Sequence, residues 1–321
     1  MHPTLQERTT SFQEVAREQP GCTPYDNHRP IYVRKHSAEQ PLSSLLQRLE
    51  PYSTDPNLMQ KHVAKGWIQV DKKRPRLNQI LVAGNTIDLV IPNTVEPRVG
   101  TELNVLFEDD HIMVVDKPSP LPIHPCGRFN RNTLILLART AWPDVVLKPV
   151  HRLDANTTGV LVFAKTVPAA RWLVTEFQEH RVQKTYTARV YGSPELPTFT
   201  ITDPIEAAPS KAGTRKLHKA GRPAVTVVRL LRTLHDGTSV LHVEPKTGRT
   251  NQIRLHLNSA GLPIVGDIAY GRAPDTTHGM TDVSTPLCLH AHTLAFRHPQ
   301  HLETVIFTSD VPGHFALAPM G

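Results

Sequence analysis

The sequence predicts an α+β fold built on a mainly antiparallel sheet, with a small α/β module ahead of it. Three observations carry this. Between residues 101 and 321, short apolar, β-branched runs outnumber helical ones. The turn His235-Asp236-Gly237 joins two such runs, and so short a connection makes them antiparallel neighbours. Residues 40–92 carry a helix-then-strand pattern of their own, which a stretch rich in Pro, Asn and Val at 93–100 separates from the rest.

Taken in order, residues 1–30 carry Glu7, Glu14 and Glu18, which argues against an acid-poor transit peptide, and a loosely held arm is expected there. The module at 31–92 should hold a helix around Leu42, Leu45, Leu46 and Leu49, a second through Leu58 and Val63, and strands at 67–70 and 87–91. After the linker, the larger domain at 101–321 should carry strands at 103–107, 112–115, 159–165, 185–191, 225–234, 239–244, 287–296 and 302–308. Helices are expected at 133–140, 167–180 and 250–260. The last has local logic: Thr250 as N-cap, Ile253, Leu257 and Ala260 on one face, and Gly261 as the left-handed terminator. Arg254 sits off that stripe, where a helix arginine is most often solvated.

The 321 residues suffice for two domains with a sizeable core. A net charge of +7 and a pI near 9.4 favour a polyanionic partner, although many basic proteins are merely soluble. Cys22, Cys126 and Cys288 are far apart and lack paired C-x-x-C spacing, which supports neither a disulfide framework nor a thiolate zinc site. A cytoplasmic setting is expected. No apolar stretch approaches the length of a membrane span, and the first thirty residues lack the apolar core of a secretion signal. Residues 61–76 carry Lys61, Lys65, Lys72, Lys73, Arg74 and Arg76 against one acid, Asp71. A solvated face would look the same.

The run from His151 to Val162 places Asp154 in a polar turn directly before a buried-strand pattern. A carboxylate there is held by a rigid sheet yet points from a loop, as a catalytic acid would. Capping of the turn is an equally good reading of the tetrapeptide.

His-Arg-Leu-Asp at 151–154, followed by Thr158-Gly159 and Leu161-x-Phe163-Ala164-Lys165, resembles the active-site motif of the RluA-type family of pseudouridine synthases. Lys184-Thr-Tyr186-Thr-Ala-Arg-Val-Tyr-Gly192 is similar to that family's tyrosine-bearing strand, and Gly248-Arg-Thr-Asn-Gln-Ile-Arg254-Leu-His256 to its arginine motif. Lesser matches at 115–118, 221–226, 261–267 and 289–291 extend the resemblance over about residues 105–312. The Gly-Trp-Ile-Gln-Val-Asp segment at 66–71 and its neighbour at 81–87 loosely resemble the small RNA-binding module, named after a ribosomal protein, that often precedes such synthases.

The resemblance implies a pseudouridine-synthase-like catalytic domain that detaches uracil from ribose at nitrogen, rotates it and rejoins it through carbon. No redox change occurs, so no cofactor or metal is expected; G-x-G-x-x-G, P-loop and zinc-ligand patterns are absent from the sequence. It further implies Asp154 as nucleophile or base, Tyr186 stacked on the base, and Arg254 against Asp154, holding it ionised. Arg152 would enter the stack left by an extruded uridine, or clamp a phosphate. Lys72, Lys73, Arg74 and Arg76 are expected to contact RNA, with a monomer acting on tRNA or rRNA. His290 and His292 form an H-x-H pair whose structural reading outweighs ligation. Asn251 stands where the family usually has His, Thr158 where it has Ser, and Cys126 where Ser is usual in a branch with tRNA-modifying members, which tilts the reading slightly to tRNA. Two alternatives stand: an RNA-binding protein that kept the fold without the chemistry, and a metal-dependent hydrolase using His151 and Asp154.

Overall fold

The computed structural model describes residues 3–49, 51–208, 214–271 and 286–315. The chain divides into two compact units, Gly21–Pro97 and a larger one made of Met1–Pro20 with Arg98–Gly321. The residues expected to form a loose arm therefore split between the two. Helix α1, Leu5–Arg17, belongs to the larger unit: Thr4 caps it by accepting from the Glu7 N–H at 3.2 Å, while the Glu7 carboxylate accepts from the Thr4 N–H at 2.7 Å. Phe12 and Ala16 are fully buried against Leu103, Leu134 and Trp142. Arg8 lies beneath them, paired to Glu108 at 2.9 Å and Asp144 at 2.8 Å, and Trp142 donates to its carbonyl. After α1, Gln19 hydrogen-bonds both backbone groups of Val99 at 2.8 and 2.9 Å. The chain thus resumes the larger unit beside the point at which it left it.

The smaller unit starts with β1, Tyr25–Tyr32, earlier than the expected boundary at 31. Helices α2, Leu42–Leu46, and α3, Asn57–Ala64, follow, then β2, Ile68–Val70, and β3, Thr86–Thr94. Strand β3 runs on into the expected linker. The three strands form an antiparallel sheet in the order β1-β3-β2, and Leu42, Leu46, Met59, Ile68 and Ile87 fill the core under it.

In the larger unit, β4, Asn104–Glu108, and β5, Ile112–Lys117, form a hairpin, followed by α4, Leu134–Ala141, and the short β6, Lys148–Pro149. Next come β7, Thr158–Ala164, α5, Val167–Gln178, β8, Gln183–Tyr191, and β9, Thr198–Ile201. Strands β10, Thr226–Thr233, and β11, Thr238–Pro245, make the hairpin expected at Asp236-Gly237. Helix α6, Gln252–Ser259, and strands β12, Leu289–Arg297, and β13, Thr304–Thr308, complete the described part. The sheet order is β4-β5-β7-β12-β8-β11-β10-β9, with β13 on β12 and β6 on β7.

Its pairings are antiparallel as expected, save that β7 and β12 run parallel. Gly159 makes this join: φ is +109°, and a side chain there would strike the Ala291 backbone of β12. Helices cover the first half on both faces. Met113, Val115, Leu161 and Phe163 pack toward α1 and α4, while Val114, Val160, Val162 and Ala164 pack toward Ala169 and Leu173 of α5. This two-sided burial is why β5 and β7 read as continuous apolar runs rather than alternating ones. In the second half, Ile253 and Leu257 of α6 join Ala188, Val228, Leu241 and Val243.

The start of α6 departs from expectation. Its N-cap is Asn251, left-handed at φ 56°, not Thr250. The Gln252 side-chain carbonyl accepts from both the Arg249 N–H and the Thr247 hydroxyl, so the loop curls over the helix end and no capping side chain is used. Gly261 closes the helix at φ 73°, as its position predicts. Among the described residues, no helix is long and apolar enough to cross a membrane.

Candidate active site

Asp154 sits in the loop that enters β7, and this loop is fastened from below. Its carbonyl accepts from the Thr157 N–H at 3.1 Å, and the next carbonyl, Ala155, accepts from the Leu121 N–H at 2.9 Å and from Lys117 Nζ at 3.1 Å. Lys117 is wholly enclosed and also donates to Pro118 and Leu121. Burial lowers its pKa to about 7, against the opposing pull of Asp154 and Asp116. The turn-capping reading of Asp154 falls away, because its carboxylate faces elsewhere: Oδ2 accepts from Arg254 Nη1 at 3.1 Å.

Arg254 is 7% exposed, so it is not solvated as its neighbours in sequence suggest, and it lies against Asp154. Position alone misled because every residue of α6 from Gln252 to Leu257 is buried. What makes a buried guanidinium tolerable is Asp267, which sequence reasoning gave no role. Its two oxygens accept from Arg254 Nε at 2.8 Å and Nη2 at 2.7 Å, and Oδ1 also accepts from the Ala269 and Tyr270 N–H groups. Burial opposes the charge on Arg254, but Asp267 and Asp154 more than offset it and raise its pKa. The guanidinium carbon also lies 5.0 Å from the ring centre of Tyr270.

A cavity of about 590 Å³ opens here, lined by Asp154, Arg254, Tyr186, Lys184, Arg152 and Leu289, among others. Tyr186 and Lys184 lie two residues apart on β8 and so share a face. Burial, and then the charge of Asp154, push the Tyr186 phenol upward, so it stays protonated. Burial lowers Lys184, a second residue that sequence reasoning missed. Arg152 is exposed on this cavity, and its charge adds to burial in lowering His124.

His151 has a different place. Its Nε2 accepts from the Val162 N–H at 3.1 Å and its ring stacks on Phe177 with centres 4.5 Å apart. Burial first, and then Lys184, drive its pKa down to about 3, so it stays neutral. With Nε2 committed to the backbone, His151 orients the loop, and the metal-hydrolase reading loses its second ligand. His290 and His292 both reach the Ser309 carbonyl, at 3.1 and 2.8 Å, and His290 also meets Thr158 at 2.8 Å. Asp109, His298 and His301 bring three metal-competent atoms within 4.8 Å of one another, but none of them lines the cavity.

The catalytic candidates Asp154, Tyr186 and Arg254 thus meet in one cavity with Arg152. Lys72, Lys73, Arg74 and Arg76 are exposed around the turn after β2 in the smaller unit, where Asp71 and Lys72 take left-handed φ values of 49° and 64°.

Comparison with known proteins points one way. Residues 111–259 match the family model described as RNA pseudouridylate synthase. A ribosomal large subunit pseudouridine synthase D from Nitrosomonas europaea is 34% identical over 267 residues, covering 78% of this chain and 77% of the relative. Human pseudouridylate synthase RPUSD2 is 37% identical over 214 residues, 65% of this chain, although the chain spans only 38% of that longer protein. Among solved structures, human RNA Pseudouridylate Synthase Domain Containing 1 superposes with a TM-score of 0.53 at 28% identity, covering 65% of this chain and 83% of that one.

Proposed function

Because the chain belongs to the RNA pseudouridylate synthase family and is an RNA pseudouridine synthase, we propose that it isomerises specific uridines of structured RNA, with Asp154 as the reacting carboxylate. The observation that carries this is the pair Asp154–Arg254 on the wall of a cavity that also holds Tyr186, with Asp267 bonded to Arg254 behind that wall.

The uracil N1–C1′ bond breaks, the base turns while held, and C5 then bonds to C1′, releasing the C5 proton. Asp154 acts as nucleophile or base, and Arg254 Nη1 holds its Oδ2 in place at 3.1 Å. Asp267 holds the guanidinium in place from behind, so the reacting carboxylate does not have to orient it. The protonated Tyr186 phenol stacks on the base and can relay the departing proton. The target cannot react within a helix, so it is extruded, and Arg152 fills or braces the vacated stack. A binder that merely kept the fold would need no such arrangement. The segment around Cys126 favours tRNA over rRNA as substrate. Lys72, Lys73, Arg74 and Arg76 add phosphate contacts from the smaller unit.

The test is tritium release from RNA labelled at C5 of uracil, with a chelator present. Release is expected at full rate with the chelator; no release from RNA of cells lacking this protein would leave only the binding role.

A further inference from the structure

Beside the active-site cavity lies a second recess of about 170 Å³, and its lining is cationic. Arg215, Arg222 and Arg249 border it, with Glu206 as the countercharge. Among the described residues none of these arginines forms an ion pair. The Nη1 of Arg215 is buried with no hydrogen-bond partner, and Arg249 spends only Nε, donating to the Pro223 carbonyl at 3.0 Å. A buried guanidinium nitrogen left unpaired is costly unless something occupies the space before it.

The fold brings these arginines together deliberately. Ile205 and Arg222 exchange backbone hydrogen bonds at 3.0 and 2.8 Å, Ile205 bridges to Leu217 on its other side, and Gly221 fits because a side chain there would meet the Ile205 backbone. Arg249 comes from the loop before α6. Gly248, Arg249 and Thr250 line both this recess and the active-site cavity. The two are also linked through Tyr270, whose hydroxyl accepts from the Arg215 N–H at 2.7 Å and from Asn251 Nδ2 at 3.0 Å while its ring faces Arg254.

We propose that the Arg215–Arg222–Arg249 recess is a phosphate-binding subsite that seats the RNA backbone phosphate of a nucleotide next to the target uridine. Three planar guanidinium groups match phosphate oxygens in paired fashion, and the excess of positive over negative charge suits a monoanionic diester. A contact so close to the reacting cavity fixes the register of the strand, so that one uridine rather than its neighbour is held before Asp154. This rests on the proposed function, and the test separates the two.

Affinity for a fluorescently labelled oligouridylate is measured at several salt concentrations, beside tritium release from C5-labelled RNA, for Arg249→Met, Arg222→Gln and Arg222→Lys. Arg222 is exposed, so its variants test the site even if Arg249→Met fails to fold. Arg249→Met is expected to weaken binding and raise KM by about tenfold, and Arg222→Gln by severalfold, with the salt slope lower by about one in each. Arg222→Lys, which keeps the charge but not the paired geometry, should restore the salt slope and only part of the affinity, and kcat should change less than twofold. Unchanged affinity and salt slope would overturn the subsite, as would a collapsed kcat at unchanged KM, which would make the arginines supports of the active-site loop. If the wild type releases no tritium while the variants still lose affinity, the proposed function fails and the phosphate subsite stands.

Discussion

Asp154 and Arg254 could be named from the motif wording, whereas Asp267 could not. It ends the lesser match at 261–267, which gives it no role, and that role exists only once α6 brings Arg254 over it. It holds Arg254 through two short charge-assisted bonds without itself lining the cavity. Asp267→Asn keeps the shape but loses the charge and one acceptor, so kcat should fall about 10- to 100-fold with little change in KM. Steady-state tritium release checks this; a purely KM effect would mean that Asp267 shapes binding instead. Lys117 illustrates the same limit of sequence reading, since its Val-Asp-Lys-Pro setting gives no hint that its ammonium group fastens the Asp154 loop. The unfolded lysine keeps its proton up to about 10.5, while the buried one releases it near 7. Between those values the unfolded chain binds more protons, so stability should rise with pH across that window, its burial penalty being fully present below pH 7. Lys117→Met should lower the unfolding temperature through three lost hydrogen bonds and also flatten that rise, as thermal unfolding from pH 7 to 10 would record. An equally steep rise in the variant would assign the slope to another group.

Elements were most legible where a strand is buried on both faces. The apolar runs behind β5 and β7 and the hairpin at Asp236-Gly237 stand out because length, β-branching and turn chemistry agree. Helix α1 escaped for the opposite reason. Its buried side is only Phe12, Ala16, Thr9 and the paired Arg8, so its sequence looks like a polar arm. The signal was nonetheless present in Thr4-x-x-Glu7, a capping box. Strand β1 was missed because its two buried side chains before Pro30, Tyr25 and Asn27, include a polar one. Because α1 is part of the core, Phe12→Ala should cost the larger unit about 3 to 5 kcal/mol. Chemical denaturation followed by the Trp142 signal reports this, since Phe12 packs 5.4 Å from that ring. An unchanged midpoint would restore the loose arm.

At the scale of the whole molecule, the chain separates a chemical unit from a smaller one with an exposed basic turn. If that turn contacts phosphates, replacing Lys72, Lys73, Arg74 and Arg76 together by Gln should weaken RNA binding and flatten its salt dependence, with the single-turnover rate at saturating RNA nearly unchanged. An unchanged salt slope would make the turn merely solubilising. The charge and motif wording made RNA legible as the partner, but Arg215, Arg222 and Arg249 share no motif spacing and meet at the second recess only in the fold. The proposed chemistry depends on one carboxylate, and the most direct measurement is a transcriptome-wide pseudouridine map of cells lacking this protein, complemented either with the wild type or with Asp154→Asn. Sites that return with the wild type and stay unmodified with an equally abundant, folded Asp154→Asn are the expected result; sites restored by both would contradict it.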